Sequence, residues 1–346
     1  MQTKILTTSE KDIRLAAEII RNGGLVAFPT ETVYGLGADA LDEDAVGRIY
    51  EAKGRPGDNP MIVHIARASD IGRLTPMLSA DIVALIENFW PGPLTMVLRK
   101  KPEIPERTTG GLDTVAVRMP DSEAALNLIN LAGCPIAAPS ANISGSPSPT
   151  RAKDVIADMD GKIDAVISGE DCRVGIESTV VDMTGDVPTI LRPGIITAEN
   201  IEAAIGKEVR YDEALLNDTG MGMLDPADGA ADPEGSGCRP KSPGMKYKHY
   251  APKAQMTVIE GRRDKVKSEI ERLKALNERL GLKVGVILFE EKAFIEAAHD
   301  LFSKLRDLDN EGVDLILAGA MSDRDGVGFA VMNRMLKSAG YNIARV

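Results

Sequence analysis

Three short stretches concentrate residues able to handle phosphate and carboxylate groups. Lys53 and Arg55 flank Gly54 in KGRPGDN, with Asn59 four residues beyond the arginine. Two fixed cations and an amide in so small a loop suit a polyanion such as a triphosphate; from spacing alone, a solvated charged turn is an equal alternative. In PSANISGSPSPT, Ser140 and Asn142 close a short apolar run and precede Ser144, Ser146 and Ser148. Hydroxyls and amides at a strand end, ahead of a helix capped by Thr150, can seat a phosphate; the alternative is a Ser/Pro linker. PTETVYGLGADA, residues 29–40, sets Thr30, Glu31, Thr32 and Tyr34 after the apolar residues 25–28, with Gly35 and Gly37 read as sources of backbone freedom.

Single residues add weaker signals. His64 lies inside an apolar strand, where a satisfied core histidine is the commoner role. Arg118 ends the alternating residues 114–117, placed either to grip a carboxylate bidentately or to make a surface ion pair. Ser178 and Thr179 in GIESTVVD, and Arg192 in LRPG, put polar groups beside apolar strands. No Ser-His-Asp or Cys-His order, no HExxH and no Walker A loop occurs, so a nucleotide site here is of another type.

The elements that must position these residues are legible in the hydrophobic pattern. Ser9 is expected to cap a first helix, with Asp12 completing a capping box, and Gly23-Gly24 to stop it. Strands are expected over 25–28, 61–65, 94–98, 114–117, 135–138, 163–167, 177–182 and 189–191, with helices opened by Asp42, Ser79, Ser122, Thr150 and Thr197. Strands follow one another without an even βαβ rhythm, which predicts one large twisted mixed sheet with helices on its faces. From residue 208 the chain turns acidic and poor in bulky residues, the composition of a linker that becomes basic at 241–253. From 256 strand and helix alternate evenly, predicting a small three-layer, Rossmann-like parallel α/β domain. The division is therefore 1–207, a linker over 208–255 that doubles as an active-site lid, and 256–346.

Composition narrows the function classes. A net charge of −11 argues against a surface that grips nucleic acid throughout, without excluding a local basic patch. Cys134, Cys172 and Cys238 are odd in number and far apart, which fits neither a disulfide framework nor a structural zinc site and suits a reducing cytoplasm. No signal-peptide core and no run long enough to span a membrane is present.

In order along the chain, PTETVYGLGADA, KGRPGDNPMIVHI, WPGPLTMVL, VAVRMP, APSANISGSPSPT, GIESTVVD and ILRPG resemble the YrdC-like family, and more closely the threonylcarbamoyl-AMP synthases. SPGMKYKHYAP and DRDGVGFAVMNRMLKSA resemble the linker and extra C-terminal domain of the long form. The resemblance implies a twisted mixed sheet over a deep, positively lined cavity. It implies synthesis of threonylcarbamoyl-AMP from L-threonine, bicarbonate or CO2, and ATP with Mg²⁺. Downstream proteins would transfer the product to tRNA. It further implies threonine contacts from Thr32, His64, Arg118, Ala138 and Ser178, with Arg118 on the carboxylate. ATP contacts would come from Arg55, Asn59, Ser140, Asn142, Ser148, Arg192 and Tyr250. Lys53 and Arg55 would be the catalytic cations; the metal ligands are not implied.

Three other readings stand beside this one. A cationic concave surface could hold double-stranded RNA or tRNA weakly, as some YrdC-like proteins do. A carbamoyl-adenylate chemistry uses the same domain type, but in a family with acylphosphatase and zinc-finger segments that this chain lacks. An amino-acid sensor reporting through the C-terminal domain is a fourth.

Overall fold

The computed structural model describes residues 2–218, 249–321 and 326–346. In chain order the first sheet and its helices are β1 (Lys4–Leu6), α1 (Glu10–Arg21), β2 (Val26–Phe28), β3 (Gly35–Asp39), α2 (Glu43–Lys53), β4 (Ile62–His64), α3 (Ala80–Phe89), β5 (Leu94–Arg99), α4 (Glu106–Thr109), β6 (Thr114–Arg118), α5 (Glu123–Ala132), β7 (Ile136–Ala137), α6 (Ala152–Met159), β8 (Ala165–Ile167), β9 (Thr179–Asp182), β10 (Thr189–Arg192), α7 (Ala198–Ile205), β11 (Arg210–Tyr211) and α8 (Glu213–Asp218). The strands join in the order β1-β8-β2-β3-β7-β4-β6-β5-β9-β10-β11. Pairings mix both senses: β4 runs parallel to β6, for example, while β3 runs antiparallel to β2. This is the expected mixed sheet.

Most helix starts follow their sequence signals. Asp42, Ser79, Ser122 and Thr197 each accept a hydrogen bond from a first-turn amide. Two caps differ from expectation. Ser9 accepts from the Asp12 amide, but the Asp12 carboxylate turns away to Thr7, taking its amide at 2.8 Å and its hydroxyl at 2.6 Å, so only half a capping box forms. Thr150 is buried, and Arg151 stands at the N-cap of α6 with no side-chain cap.

Gly35 and Gly37, expected to supply backbone freedom, lie within β3, and neither has a positive φ. Their reason is close packing. A Cβ at Gly37 would stand 2.7 Å from both the Phe28 ring and Ile136, and one at Gly35 3.2 Å from the Phe28 ring. Residues 210–218, read as the start of the linker, add β11 beside β10 and then α8. Most of the acidic linker, residues 241–248 of the expected lid, Cys238, and residues 323–325 of the last motif lie outside the described residues.

The C-terminal unit comprises β12 (Gln255–Glu260), α9 (Arg263–Arg279), β13 (Val284–Ile287), α10 (Phe294–Glu311), β14 (Leu315–Gly319), α11 (Gly326–Ser338) and β15 (Ile343–Arg345). Its four strands are all parallel, in the order β13-β14-β12-β15. Its core does not end at its own boundary: Val33 and Ile176 of the first unit pack into one cluster with Ala298, Leu301, Phe302 and Tyr250. Helix α11 is buried from Gly328 to Ser338, polar residues included. No helix among the described residues is long and apolar enough to cross a membrane.

Candidate active site

A cavity opens over one face of the first sheet. Side chains two apart on a strand share a face, so Ile62 and His64 of β4 both point into it. Arg118 of β6 lies in register beside His64. Thr30 to Gly35 form one rim, and Ala138 to Ser140 another, joined by a bridge between Gly35 and Ser140. Arg55, Glu177, Arg192, His249 and Tyr250 complete the lining. Of the residues selected from sequence, Thr32, Arg55, His64, Arg118, Ala138, Ser140, Arg192 and Tyr250 therefore meet around one hollow.

Local hydrogen bonding fixes the state of several of these groups. The Thr30 hydroxyl donates to the Val33 carbonyl at 2.6 Å and lies 2.9 Å from the Thr32 hydroxyl. Its proton being spent, Thr32 is the donor of that pair, which leaves Thr32 an acceptor for a ligand N–H or O–H. The His64 Nδ1 lies 3.2 Å from the Ile62 carbonyl. A carbonyl only accepts, so Nδ1 carries the proton. Burial, then the Arg118 charge, lowers the His64 pKa to about 3, so the ring is neutral near pH 7. Arg118 makes no surface pair. Its Nη2 meets the buried Glu31 carboxylate at 2.7 Å, and its Nε donates to the Gly92 carbonyl at 3.3 Å.

The nucleotide-side expectations divide into lining and support. Arg55 donates through Nη2 to the Pro60 and Asn59 carbonyls, at 2.9 and 3.2 Å. Arg192 donates through Nε to the Ser178 carbonyl at 3.0 Å and through Nη2 to the Ser178 hydroxyl at 3.1 Å. Burial lowers the Arg192 pKa to about 10, which still leaves it a cation near pH 7. Tyr250 takes a left-handed φ of 64° and packs its ring 5.1 Å from that of Phe302.

Five selected residues stand behind the wall. Lys53 is only 2% exposed, and its ammonium donates to the Ser140 and Asn142 carbonyls, so it clamps the rim rather than facing a ligand. Burial, then the Arg55 charge, pulls its pKa well below the usual lysine value. Asn142 fastens its own loop, donating to the Ile143 and Ser146 carbonyls. Asn59 is buried beside Arg55. Ser178 is fully buried, 2.8 Å from the Thr95 hydroxyl, and orients Arg192. The Ser148 hydroxyl donates to Glu177 at 2.6 Å.

Sequence reasoning passed over two polar lining residues, His249 in HYAP and Glu177 in GIESTVVD. Glu177 is the one carboxylate among the described lining residues. Burial raises its pKa, but Arg334, Arg192 and the Ser148 hydroxyl together outweigh that and hold it below the usual glutamate value. A second hollow beyond Thr30 and Glu31 is lined by Asp121, Glu123, Glu170 and Asp171. Its acidity makes it a poor seat for phosphate. Among the described residues no group of three His, Cys, Asp or Glu is placed to hold a metal ion.

Fold and site together define a mixed-sheet α/β protein with one polar cavity whose described lining includes Arg55, Arg118 and Arg192. A family model described as "Telomere recombination" matches residues 18–194, and one described as "Threonylcarbamoyl-AMP synthase, C-terminal domain" matches residues 196–340. A threonylcarbamoyl-AMP synthase of Pyrococcus abyssi is 50% identical over 97% of this chain and 96% of its own length. One of Bacillus subtilis is 43% identical over 99% of this chain and 97% of its own. Among solved structures, P. abyssi Sua5 complexed with L-threonine superposes with a TM-score of 0.89 at 49% identity, covering 99% of this chain and 100% of that one. E. coli YciO, at 24% identity and a TM-score of 0.51 over 56% of this chain, shares the fold of the first unit. The chain belongs to the threonylcarbamoyl-AMP synthase family.

Proposed function

We infer that this chain is an L-threonylcarbamoyladenylate synthase, joining L-threonine, bicarbonate or CO2, and ATP, with release of pyrophosphate. The observation that carries this reading is the convergence on a single cavity of two sets of residues: Thr32, neutral His64 and Arg118, and Arg55, Ser140 and Arg192. The first set matches an amino acid: a guanidinium for its carboxylate and an acceptor hydroxyl for its amine or alcohol. The second set matches the phosphates of a nucleotide. The relatives' names and the threonine-bound structure support the same assignment.

In this reading the neutral threonine amine forms an N–C bond to CO2 and loses a proton, giving a carbamate. A carbamate oxygen then bonds to the α-phosphorus as the bond to pyrophosphate breaks. No protein side chain becomes covalently attached. Catalysis is positioning plus charge stabilisation, supplied by Arg118 at the carboxylate and by Arg55 and Arg192 at the phosphates. Mg²⁺ would enter on the nucleotide, where it offsets phosphate charge, since the described residues supply no cage of their own. Lys53, Asn142, Ser148 and Ser178 act by holding the walls, and Asn59 packs beside Arg55. Ala138 offers its rim position, and Tyr250 closes the nucleotide side. The product would pass, in the cytoplasm, to proteins that transfer the threonylcarbamoyl group to tRNA.

The test is to incubate the protein with threonine, bicarbonate, ATP and Mg²⁺ and to look for the mixed anhydride by mass. Its appearance, with pyrophosphate release that requires both threonine and bicarbonate, is expected. Salt-sensitive RNA binding with no turnover would replace this reading by the RNA-binding one.

A further inference from the structure

Helix α11 places a guanidinium against the back of the site from a separate sheet. Arg334 is fully buried. Its Nε donates to Glu177 Oε2 at 3.1 Å, and its Nη1 donates to the Pro193 carbonyl at 2.7 Å. Its guanidinium carbon stands 5.9 Å from the centre of the Tyr250 ring. Three contacts from one side chain thus reach a lining carboxylate, the residue after the lining Arg192, and a lining ring. A guanidinium taken this completely out of water must be paired and hydrogen-bonded to offset its desolvation, a demand that an apolar side chain filling the same space would not make.

The charge arrangement gives the placement a purpose. Among its described lining residues the cavity gathers Arg55, Arg192 and Arg118, the last already paired with the buried Glu31 behind it, around one lining carboxylate, Glu177. A carboxylate there, left to itself, would either pair with Arg192 across the cavity or repel an incoming phosphate. Glu177 has Ser148 on Oε1 and Arg334 on Oε2, the Tyr250 hydroxyl also bonds to it, and the Arg192 charge acts on it as well. The other charged or titratable groups around it are Arg192 on β10 and Tyr250 in the segment before β12; His249 lines the same hollow.

We propose that Arg334 is a positioning residue of the active site, supplied by the C-terminal domain: it draws the Glu177 carboxylate to the back wall and neutralises it, so that the arginine face of the cavity stays net positive toward the nucleotide. The proposal rests on the synthase reading for the identity of the anion. It assigns the C-terminal domain a direct part in shaping the site, through one ion pair that joins residues 157 positions apart.

The experiment compares wild type, R334Q, R334K, E177Q and the double variant E177Q/R334Q in the full chain. ATP affinity is read by calorimetry without threonine, and threonine-dependent pyrophosphate release is read alongside, each from pH 5.5 to 8.5 and as a ratio to wild type. R334Q is expected to weaken ATP binding at least tenfold at pH 8. The defect should shrink as pH falls, because Glu177, deprived of its partner, takes up a proton at higher pH than before and so loses its opposing charge. R334K should keep most of the affinity. E177Q/R334Q should bind ATP within threefold of E177Q and lose the pH-dependent part of the defect. A merely structural Arg334 would give losses that add and do not vary with pH, which would overturn the proposal. Should R334Q fail to fold, the double variant decides, since it leaves neither charge unpartnered. Recovery of folding, with affinity within threefold of E177Q, supports the proposal; a double variant that binds at least tenfold more weakly than E177Q overturns it. Wild type that releases no pyrophosphate would instead refute the synthase reading.

Discussion

Lys53 and Arg55 are two residues apart and carry the same charge, yet the fold gives them different work. Arg55 faces the cavity while its guanidinium rests on the Pro60 and Asn59 carbonyls. Lys53 is buried and holds the Ser140 and Asn142 carbonyls instead. Arg55→Ala is expected to unfold within about 1 kcal/mol of wild type while pyrophosphate release falls by about 10²–10³, equivalent to ~2–4 kcal/mol of lost transition-state stabilisation. Lys53→Ala is expected to lose about 2–4 kcal/mol of stability, because leaving buried acceptors unsatisfied costs ~1–3 kcal/mol apiece. Thermal melts beside a pyrophosphate assay separate the two. A Lys53→Ala protein that melts like wild type and loses only rate would put the ammonium back into the chemistry. Motif order made the site's membership legible at this scale, but not each side chain's direction. Spacing cannot say whether a cation beside a glycine turn looks into a hollow or into the loop across from it. Glu177 and Arg334 were hidden for a further reason: each is ordinary locally, and their meaning lies in a contact between distant parts of the chain.

At the scale of elements, sequence signals worked where local chemistry is decisive. Side-chain caps at Asp42, Ser79, Ser122 and Thr197 open their helices, and left-handed glycines at 54, 133 and 206 close three of them. They worked less well where pairing decides. The short strands β1, β11 and β15 have two or three residues each and exist because a neighbour offers a ladder. Strand β3 was masked by its glycines, which a propensity argument counts against a strand. Here those glycines let β3 pass close under the Phe28 ring. Gly37→Ala is therefore expected to cost about 1–3 kcal/mol, the price of forcing a methyl into a packed core, although no unusual φ is involved. Chemical denaturation measures this directly. A variant as stable as wild type would mean that Phe28 and Ile136 can move apart and that β3 tolerates side chains at that position.

The whole molecule is organised by a seam between its two sheets, and one residue in that seam tests whether the site depends on it. Gly175 has a φ of +83°, and a Cβ there would lie 2.3 Å from the His299 Cα and 2.5 Å from the Ala298 carbonyl oxygen, both in the backbone of α10. Its amide donates to the Thr32 carbonyl at 3.1 Å, and Glu177 follows two residues later. Near it, α10 sends Arg306 to the Pro147 carbonyl at 2.6 Å and to Asp158 at 2.8 Å, while Arg151 reaches Asp307 at 2.8 Å. A backbone cannot yield as a side-chain tip can, so Gly175→Ala must displace α10 or its own strand connection, and α11 packs against α10. The expected result is a larger radius of gyration by solution scattering, with ATP affinity reduced at least tenfold through loss of the Arg334–Glu177 contact. Gly72→Ala, where a methyl would meet open space, should change neither. If Gly175→Ala keeps both the wild-type radius and the wild-type affinity, the seam is not what shapes the cavity, and the first sheet builds its site alone.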